Sequence, residues 1–174
     1  MPPVPTPTSH GAALRRSASP VFTTEDGERI VQQQFGLQSS CKDLSSYIDR
    51  NFLVEAQDGS RWVLRIANDE EEQRTLDLQN CAMQRVGEAL PGQVPEVRLS
   101  VNGQTIERVM ASDGREHWVR LVSFLPGELM SGAPGIELST WRGLGELLAK
   151  IDLALIGFEH EAADRALRWD LDCA

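Results

Sequence analysis

One turn signal constrains the fold of this chain more than any other feature. Asp58 and Gly59 separate two runs rich in apolar residues, 52–56 and 61–67. An Asp-Gly pair suits the tight turn of a β-hairpin because glycine tolerates the positive φ that such turns demand. The run 61–67 is apolar on both faces apart from Arg65. The sequence therefore predicts a hairpin whose second strand is central and covered on each side.

Helical periodicity flanks this hairpin. The stretch 69–90 repeats apolar residues at helical spacing, and its acidic first turn suits the positive end of a helix dipole. Asn68 can cap this helix, with Glu71 as the reciprocal partner three residues on. A first helix, capped by Thr23 or Thr24, is predicted to run to Phe35 before Gly36, and the other predicted helices span 69–90 and 136–155.

Three more strands are predicted after the long helix, around 97–101, 105–110 and 117–125. An Asn-Gly pair at 102–103 and an Asp-Gly pair at 113–114 separate them as hairpin turns. The resulting order is a short helix, a hairpin, a long helix, a meander of strands and a final helix. It predicts an α+β fold, with a mostly antiparallel sheet and one principal helix packed on it.

Composition and charge exclude several classes of protein. The 174 residues carry a net charge of −9, and such an acidic surface repels phosphate backbones and anionic lipids. No apolar run approaches the ~20 residues that span a bilayer. Cys41, Cys81 and Cys173 are far apart, which predicts reduced thiols and favours a cytoplasmic location. We therefore expect neither a nucleic-acid partner nor a membrane partner.

The chain divides into three predicted segments. Residues 1–22 are rich in Pro, Ser and Thr and contain no acidic residue, which predicts a disordered tail. An organellar transit peptide is the alternative, although the prolines oppose its amphipathic helix. The folded lobe is predicted over 23–125, and 126–174 hold a linker and the last helix.

Six short motifs occur in a fixed order along the chain. They are DRNF at 49–52, WVLRIAN at 62–68, LDLQN at 76–80, VP at 94–95, FLPG at 124–127 and a set over 158–171 that ends in WDL. With these motifs, the chain from about residue 25 onward resembles the amino-terminal lobe of aminoglycoside phosphotransferase and choline kinase-like enzymes, and most of all the hydroxylysine kinases. The resemblance implies a protein-kinase-like amino-terminal lobe, followed by the first helix of an incomplete carboxy-terminal lobe.

The resemblance also implies a nucleotide site beneath the sheet. The loop 45–51 takes the phosphate-covering position, and Arg65 stands where family members carry a lysine that contacts the phosphates. Asp77 on the long helix is the implied acidic partner of Arg65. Residues 122–125 would form the hinge whose backbone binds the adenine edge. The implied nucleotide-binding residues are Ser45, Ser46, Asp49, Arg50, Asn51, Arg65, Asp77, Ser123, Phe124 and Leu125.

The loop 45–51, Arg65 and Asp77 also have purely structural interpretations. The loop 45–51 lacks glycine, so it is neither a Gly-rich loop nor a P-loop, and Asp49 and Arg50 can simply pair with each other. Arg65 can extend its charge to the edge of the lobe, and Asp77 can be an ordinary solvated residue. A charge in an apolar central strand is costly without a partner or a ligand, which favours the nucleotide interpretation for Arg65.

The chemical step needs parts that this sequence does not show. Phosphoryl transfer also requires an aspartate near the acceptor hydroxyl and an Asp/Asn pair that holds magnesium. Related enzymes carry both in the carboxy-terminal lobe, and neither pattern occurs in these 174 residues. The resemblance therefore implies ATP or GTP with magnesium as cofactors, with the magnesium ligands outside this chain. We expect no catalytic residue, no metal ligand and no turnover in the polypeptide alone.

Two functions from different classes remain open at this point. The first is the nucleotide-binding part of a small-molecule kinase, whose acceptor would be a small hydroxylated amine or amino acid if a second lobe is supplied. The alternative is a non-catalytic binding or regulatory module with a kinase-like lobe, which Arg65 in place of lysine favours. In either case the final helix would expose an apolar face, which predicts self-association.

Overall fold

The computed structural model describes residues 19–130 and 135–164 of the chain. The α+β class predicted from the sequence is confirmed. The predictions that fall on 1–18 and on 165–174, including most of the tail and the WDL motif, lie outside the described residues. The elements are α1 (Thr24–Phe35), β1 (Ser39–Leu44), β2 (Arg50–Ala56), β3 (Arg61–Ile66), α2 (Gln73–Ala89), β4 (Val97–Arg98), β5 (Glu107–Met110), β6 (Glu116–Ser123) and α3 (Leu138–Ala154).

The described strands form one antiparallel sheet with β3 at its centre. They follow the order β1-β2-β3-β6-β4, and β5 also pairs with β6. β2 and β3 meet at the predicted turn, where Gly59 has a φ of +83° and the N–H of Ser60 donates a 2.8 Å hydrogen bond to Asp58 Oδ1. Because only glycine adopts this φ without strain, the Asp-Gly pair sets the register of the hairpin.

The first helix, α1, covers one side of the sheet, which we call the outer face. Thr23 and Asp26 form a reciprocal capping box at its start, and Gly36 ends it with a left-handed φ of 69°. Burial of each large apolar side chain here contributes about 1.5–3 kcal/mol. The core on this face consists mainly of Ile30, Val31 and Phe35 from α1 and Phe52, Val54, Leu64, Ile66, Val119 and Leu121 from the sheet.

The long helix, α2, begins four residues later than the sequence predicts. Asn68 does not cap it, because Asn68 Oδ1 accepts a 3.1 Å hydrogen bond from the N–H of Glu70 and its side-chain amide donates to Asp49. An asparagine that bonds to the backbone two residues on forms a local turn, which competes with the helix. The helix follows this turn without a side-chain cap, and its Leu76 and Val86 are buried as their spacing predicts.

The strand predicted over 97–101 is shorter than expected. β4 ends at Arg98, because Ser100 Oγ accepts hydrogen bonds of 3.1 Å from the N–H groups of Asn102 and Gln104. This local bonding takes the chain out of the ladder and into the predicted Asn-Gly turn.

The last helix, α3, buries none of its residues within the described part of the chain. Trp141 and Leu148 are 52% and 53% exposed, so the predicted exposed apolar face is present. The helix is joined to α2 by a 3.1 Å hydrogen bond from Arg85 Nε to the carbonyl of Ala154. Among the described helices, none has the length and apolarity needed to cross a membrane.

Candidate functional site

A row of polar side chains crosses the side of the sheet opposite α1, which we call the inner face. The ladder places Asn51 of β2 opposite Arg65 of β3, and Arg65 opposite Arg120 of β6. Residues directly opposite in a ladder point to the same side, so the three side chains are neighbours. Over β2 and β3 the described inner-face residues are only partly buried, so β3 is less covered on this face than the sequence predicts.

Arg65 lies in this row and forms a long ion pair with Asp49. Its Nη2 is 3.7 Å from Asp49 Oδ2, and its side chain is 39% exposed. Asp49 Oδ1 also accepts hydrogen bonds of 3.2 Å from the backbone N–H and the side-chain amide of Asn68. The loop before β2 therefore supplies the carboxylate that pairs with Arg65. The side chain of Arg65 remains partly exposed on the inner face.

The expected pairing of Arg65 with Asp77 is wrong. Asp77 lies on an exposed side of α2, and its Oδ2 is 3.1 Å from Nε2 of His160. The physical reason is the rotation of α2 about its axis, which turns Asn80 toward the sheet and Asp77 away from it.

Arg120 is the site residue that the sequence interpretation missed. It is 2% exposed, its Nη1 donates a 2.7 Å hydrogen bond to Asn80 Oδ1, and its Nη2 donates to Gln79 Oε1. Burial lowers the pKa of Arg120 to about 10, and the nearby charge of Arg65 acts in the same direction. The guanidinium is still protonated at neutral pH. Its signal, a charge among apolar strand residues, is the one that singled out Arg65.

Arg50 does not join the inner face. It pairs with Asp43 at 2.5 Å, its Nε donates a 3.1 Å hydrogen bond to the carbonyl of Phe22, and its guanidinium lies 4.8 Å from the ring centre of Phe52. Since Phe52 belongs to the outer face, Arg50 points away from Arg65. The alternative expectation, that Asp49 and Arg50 pair with each other, is also wrong.

The remaining predicted loop residues lie in the turn between β1 and β2 or directly after it. Ser45 and Ser46 are exposed in the turn between β1 and β2, as the sequence predicts. Asn51 follows that turn on the inner face, and its buried Oδ1 has no hydrogen-bond partner among the described residues. A buried acceptor without a donor is costly, so a ligand that donates to it would relieve that cost.

The predicted hinge begins at the end of β6. The N–H of Ser123 donates a 2.8 Å hydrogen bond to the carbonyl of Glu96, and the N–H of Phe124 donates a 3.1 Å bond to the carbonyl of Arg61. These two donors are therefore engaged within the lobe. Leu125 follows them and is 38% exposed.

One cluster contains groups that can bind metal ions. Asp77, Cys81 and His160 each offer a ligand atom, and these atoms lie within 4.8 Å of one another. The N–H of Ala162 donates a 3.1 Å hydrogen bond to His160 Nδ1, which assigns the proton of the neutral ring to Nε2, facing Asp77. Metal-binding histidines instead donate from the nitrogen that is not bound to metal. The cluster is thus better described as a hydrogen-bonded link between α2 and the segment after α3.

A cavity of about 590 Å³ lies between α2 and the segment that leads into β4. Met83, Val94 and Val97 supply much of its apolar wall. Of the residues assigned to the nucleotide from the sequence, only Asp77 lines this cavity. Asn80, which accepts the hydrogen bond from Arg120, also lines the cavity, so the cavity adjoins the row of inner-face residues at its Arg120 end.

The comparison with protein families agrees with the geometry. The model of the phosphotransferase enzyme family, APH, matches residues 40–173. The chain belongs to this phosphotransferase family. Hydroxylysine kinase of Mus musculus is 29% identical over 163 residues, a match that covers 86% of this chain and 43% of that protein. Hydroxylysine kinase of Danio rerio is 29% identical over 139 residues, covering 75% of this chain and 38% of that protein.

Two solved kinases share the fold. A microcompartment-associated aminopropanol kinase superposes with a TM-score of 0.65 at 15% identity, over 85% of this chain and 45% of its own. An amicoumacin kinase, solved with AMP-PNP, Ca²⁺ and Ami, gives a TM-score of 0.65 at 12% identity, over 80% and 42%. The predicted kinase-like amino-terminal lobe is thereby confirmed. The chain spans less than half the length of each of these four proteins.

Proposed function

We propose that this chain is the nucleotide-binding part of an ATP- or GTP-dependent phosphotransferase that acts on a small molecule. The observation that carries the proposal is the row of Asn51, Arg65 and Arg120 on the inner face. Arg65 and Arg120 place two guanidinium groups side by side, and Asp49 pairs with Arg65 at 3.7 Å. Two like charges this close favour the binding of a further anion. A polyphosphate supplies such an anion, and it would also lie beneath the loop that joins β1 and β2.

Arg65 is the residue we assign to direct phosphate contact. Its 3.7 Å separation from Asp49 is long for a charge-assisted hydrogen bond, so an oxygen of the phosphates can take its donors. Ser45 and Ser46 would add hydroxyl donors from the loop above. Arg50, which pairs on the outer face, has no part in this proposal.

The hinge would hold the adenine edge. Because the N–H groups of Ser123 and Phe124 are already bonded within the lobe, we assign the adenine contact to the backbone of Leu125. The ring of Phe124, the residue before Leu125, would lie beside the adenine. The centre of this ring is 4.6 Å from the guanidinium carbon of Arg61.

Magnesium and the acceptor would be bound outside the described residues. The thiol and imidazole beside Asp77 are poor ligands for magnesium, which prefers oxygen atoms. The name of the curated relatives, hydroxylysine kinase, and that of the aminopropanol kinase support a hydroxylated amine or amino acid as the acceptor. Since the match spans 43% of the mouse relative, we propose that the polypeptide alone has no kinase turnover.

A non-catalytic binding or regulatory module with a kinase-like lobe is the second candidate. Arginine at position 65 favours it, because the planar guanidinium does not reproduce the point contact of the lysine that the family resemblance implies there. The two candidates differ in one measurable property. If the chain is part of a kinase, Arg65→Lys should preserve or improve nucleotide binding. If it is a module adapted to arginine, the same variant should bind nucleotide less well.

Calorimetric titration tests the proposal. ATP with magnesium should bind the wild-type chain, and Arg65→Ala should weaken binding by about 2 kcal/mol, or ~30-fold, the value of a hydrogen bond to a charged group. Arg29→Ala is the matched control, because Arg29 is an exposed arginine of α1 that pairs with Asp26. Equal affinities of the wild type and Arg65→Ala would contradict the assignment of Arg65. No binding of ATP or GTP to the wild type would contradict the proposed function.

A further inference from the structure

Arg120 differs from the six described arginines that pair with a carboxylate. Arg29, Arg50, Arg65, Arg74, Arg108 and Arg115 each lie within 4.0 Å of a carboxylate oxygen. The acceptors shown for Arg120 are neutral, and they are the side-chain amides of Asn80 and Gln79 and, at 3.5 Å, the carbonyl of Leu76.

This arrangement orients a buried charge without cancelling it. The guanidinium is 2% exposed, so its charge is weakly screened by water. Amide oxygens satisfy two of its nitrogens, yet they carry no net charge. Asp49 and Glu71 act on Arg120 only through space, and Arg65, directly opposite in the ladder, adds a second positive charge. The inner face therefore carries two neighbouring guanidinium groups, and of the two acids that act on Arg120, Asp49 is also the ion-pair partner of Arg65.

A carboxylate would have satisfied the same geometry at lower electrostatic cost. Helix α2 presents Asn80 and Gln79 to the sheet and turns its acid, Asp77, toward His160. Removing a charge from water without a counter-ion is expensive. A structural link alone gives no reason for this choice, whereas an anionic ligand on the inner face does.

We propose that Arg120 is a fixed cation that attracts the phosphates of the nucleotide, and that Asn80 and Gln79 hold it in place without neutralising it. This inference rests on the proposed function. It extends that function by naming a second phosphate-attracting charge and the two amides that keep it available. Arg120 acts here as a positioning and electrostatic residue, and direct contact with phosphate is left to Arg65.

The decisive variants exchange an amide for a carboxylate of the same shape. Asn80→Asp and Gln79→Glu keep the acceptor and strengthen the link to Arg120 while cancelling its charge. We expect the Kd for ATP to rise roughly tenfold in either variant. The melting temperature should stay the same or rise, and binding of adenosine, which has no phosphate, should not change. Gln33→Glu, on an exposed position of α1, controls for the added negative charge.

Thermal shift with tripolyphosphate separates this inference from the proposed function. Stabilisation of the wild type by tripolyphosphate but not by ATP, reduced in Asn80→Asp, would support the charge of Arg120 and contradict the nucleotide proposal. ATP binding that is equal in the wild type, Asn80→Asp and Gln79→Glu would overturn the inference and leave the nucleotide proposal intact. A wild type that binds neither ligand would overturn both.

Discussion

The link between Arg120 and Asn80 makes a quantitative prediction about stability. Both side chains are buried, at 2% and 5% exposed, and Asn80 Oδ1 accepts the 2.7 Å hydrogen bond from Arg120 Nη1. In Asn80→Ala this nitrogen keeps only the 3.5 Å contact to the carbonyl of Leu76. The variant loses a hydrogen bond to a charged group and leaves a buried donor without a good acceptor. Together these changes cost about 2–4 kcal/mol of stability. That is a large part of the ~5–15 kcal/mol that stabilises a typical domain.

Urea unfolding followed by circular dichroism measures this loss, and a double-mutant cycle assigns it. Arg120→Met combined with Asn80→Ala removes both polar partners, so the double variant should be more stable than the sum of the single effects by about 2 kcal/mol. Gln57→Ala, in the exposed turn between β2 and β3, is the control and should change stability by less than ~0.5 kcal/mol. Strict additivity of the two buried substitutions, or a change below ~0.5 kcal/mol in Asn80→Ala, would refute the reasoning.

Three further predictions concern packing, protonation and association. Gly27→Val should destabilise the fold by about 1–3 kcal/mol in urea unfolding, because a Cβ at Gly27 would lie 3.2 Å from Cys41 Sγ and 3.3 Å from the ring of Phe52. Burial raises the pKa of Cys41 from 9.0 to about 12, so the folded state holds this proton more tightly than the unfolded state does. The free energy of unfolding should therefore fall as pH rises above about 9. In a Cys41→Ala variant this dependence of stability on pH should disappear. Sedimentation velocity should show concentration-dependent self-association through the face that carries Trp141 and Leu148, and Leu148→Glu should abolish it; a wild type that stays monomeric at every concentration would contradict this.

The hairpin and the central strand could be predicted because their causes are local. A turn that needs a positive φ at Gly59 and an apolar run with one charge at Arg65 both depend on neighbouring residues. The same reasoning placed α1 between a threonine cap and Gly36. The resemblance then supplied the kinase-like order of elements, which periodicity alone could not distinguish from other α+β arrangements.

The partners across the inner face could not be predicted, because they depend on tertiary packing. The rotation of α2 decides whether Asp77 or Asn80 faces the sheet, and both positions are compatible with the helical repeat of apolar residues. The start of α2 was misplaced for a related reason. Asn68 can act as a cap or close a local turn, and its bond to Asp49, nineteen residues away, favours the turn.

A crystal structure of the protein with magnesium and AMP-PNP tests the central claim most directly. We expect phosphate oxygens on the inner face, within about 3.2 Å of the guanidinium of Arg65 and with Arg120 behind it. A nucleotide bound in the cavity between α2 and β4 would contradict this expectation. Phosphates that lie away from the inner face would contradict it as well.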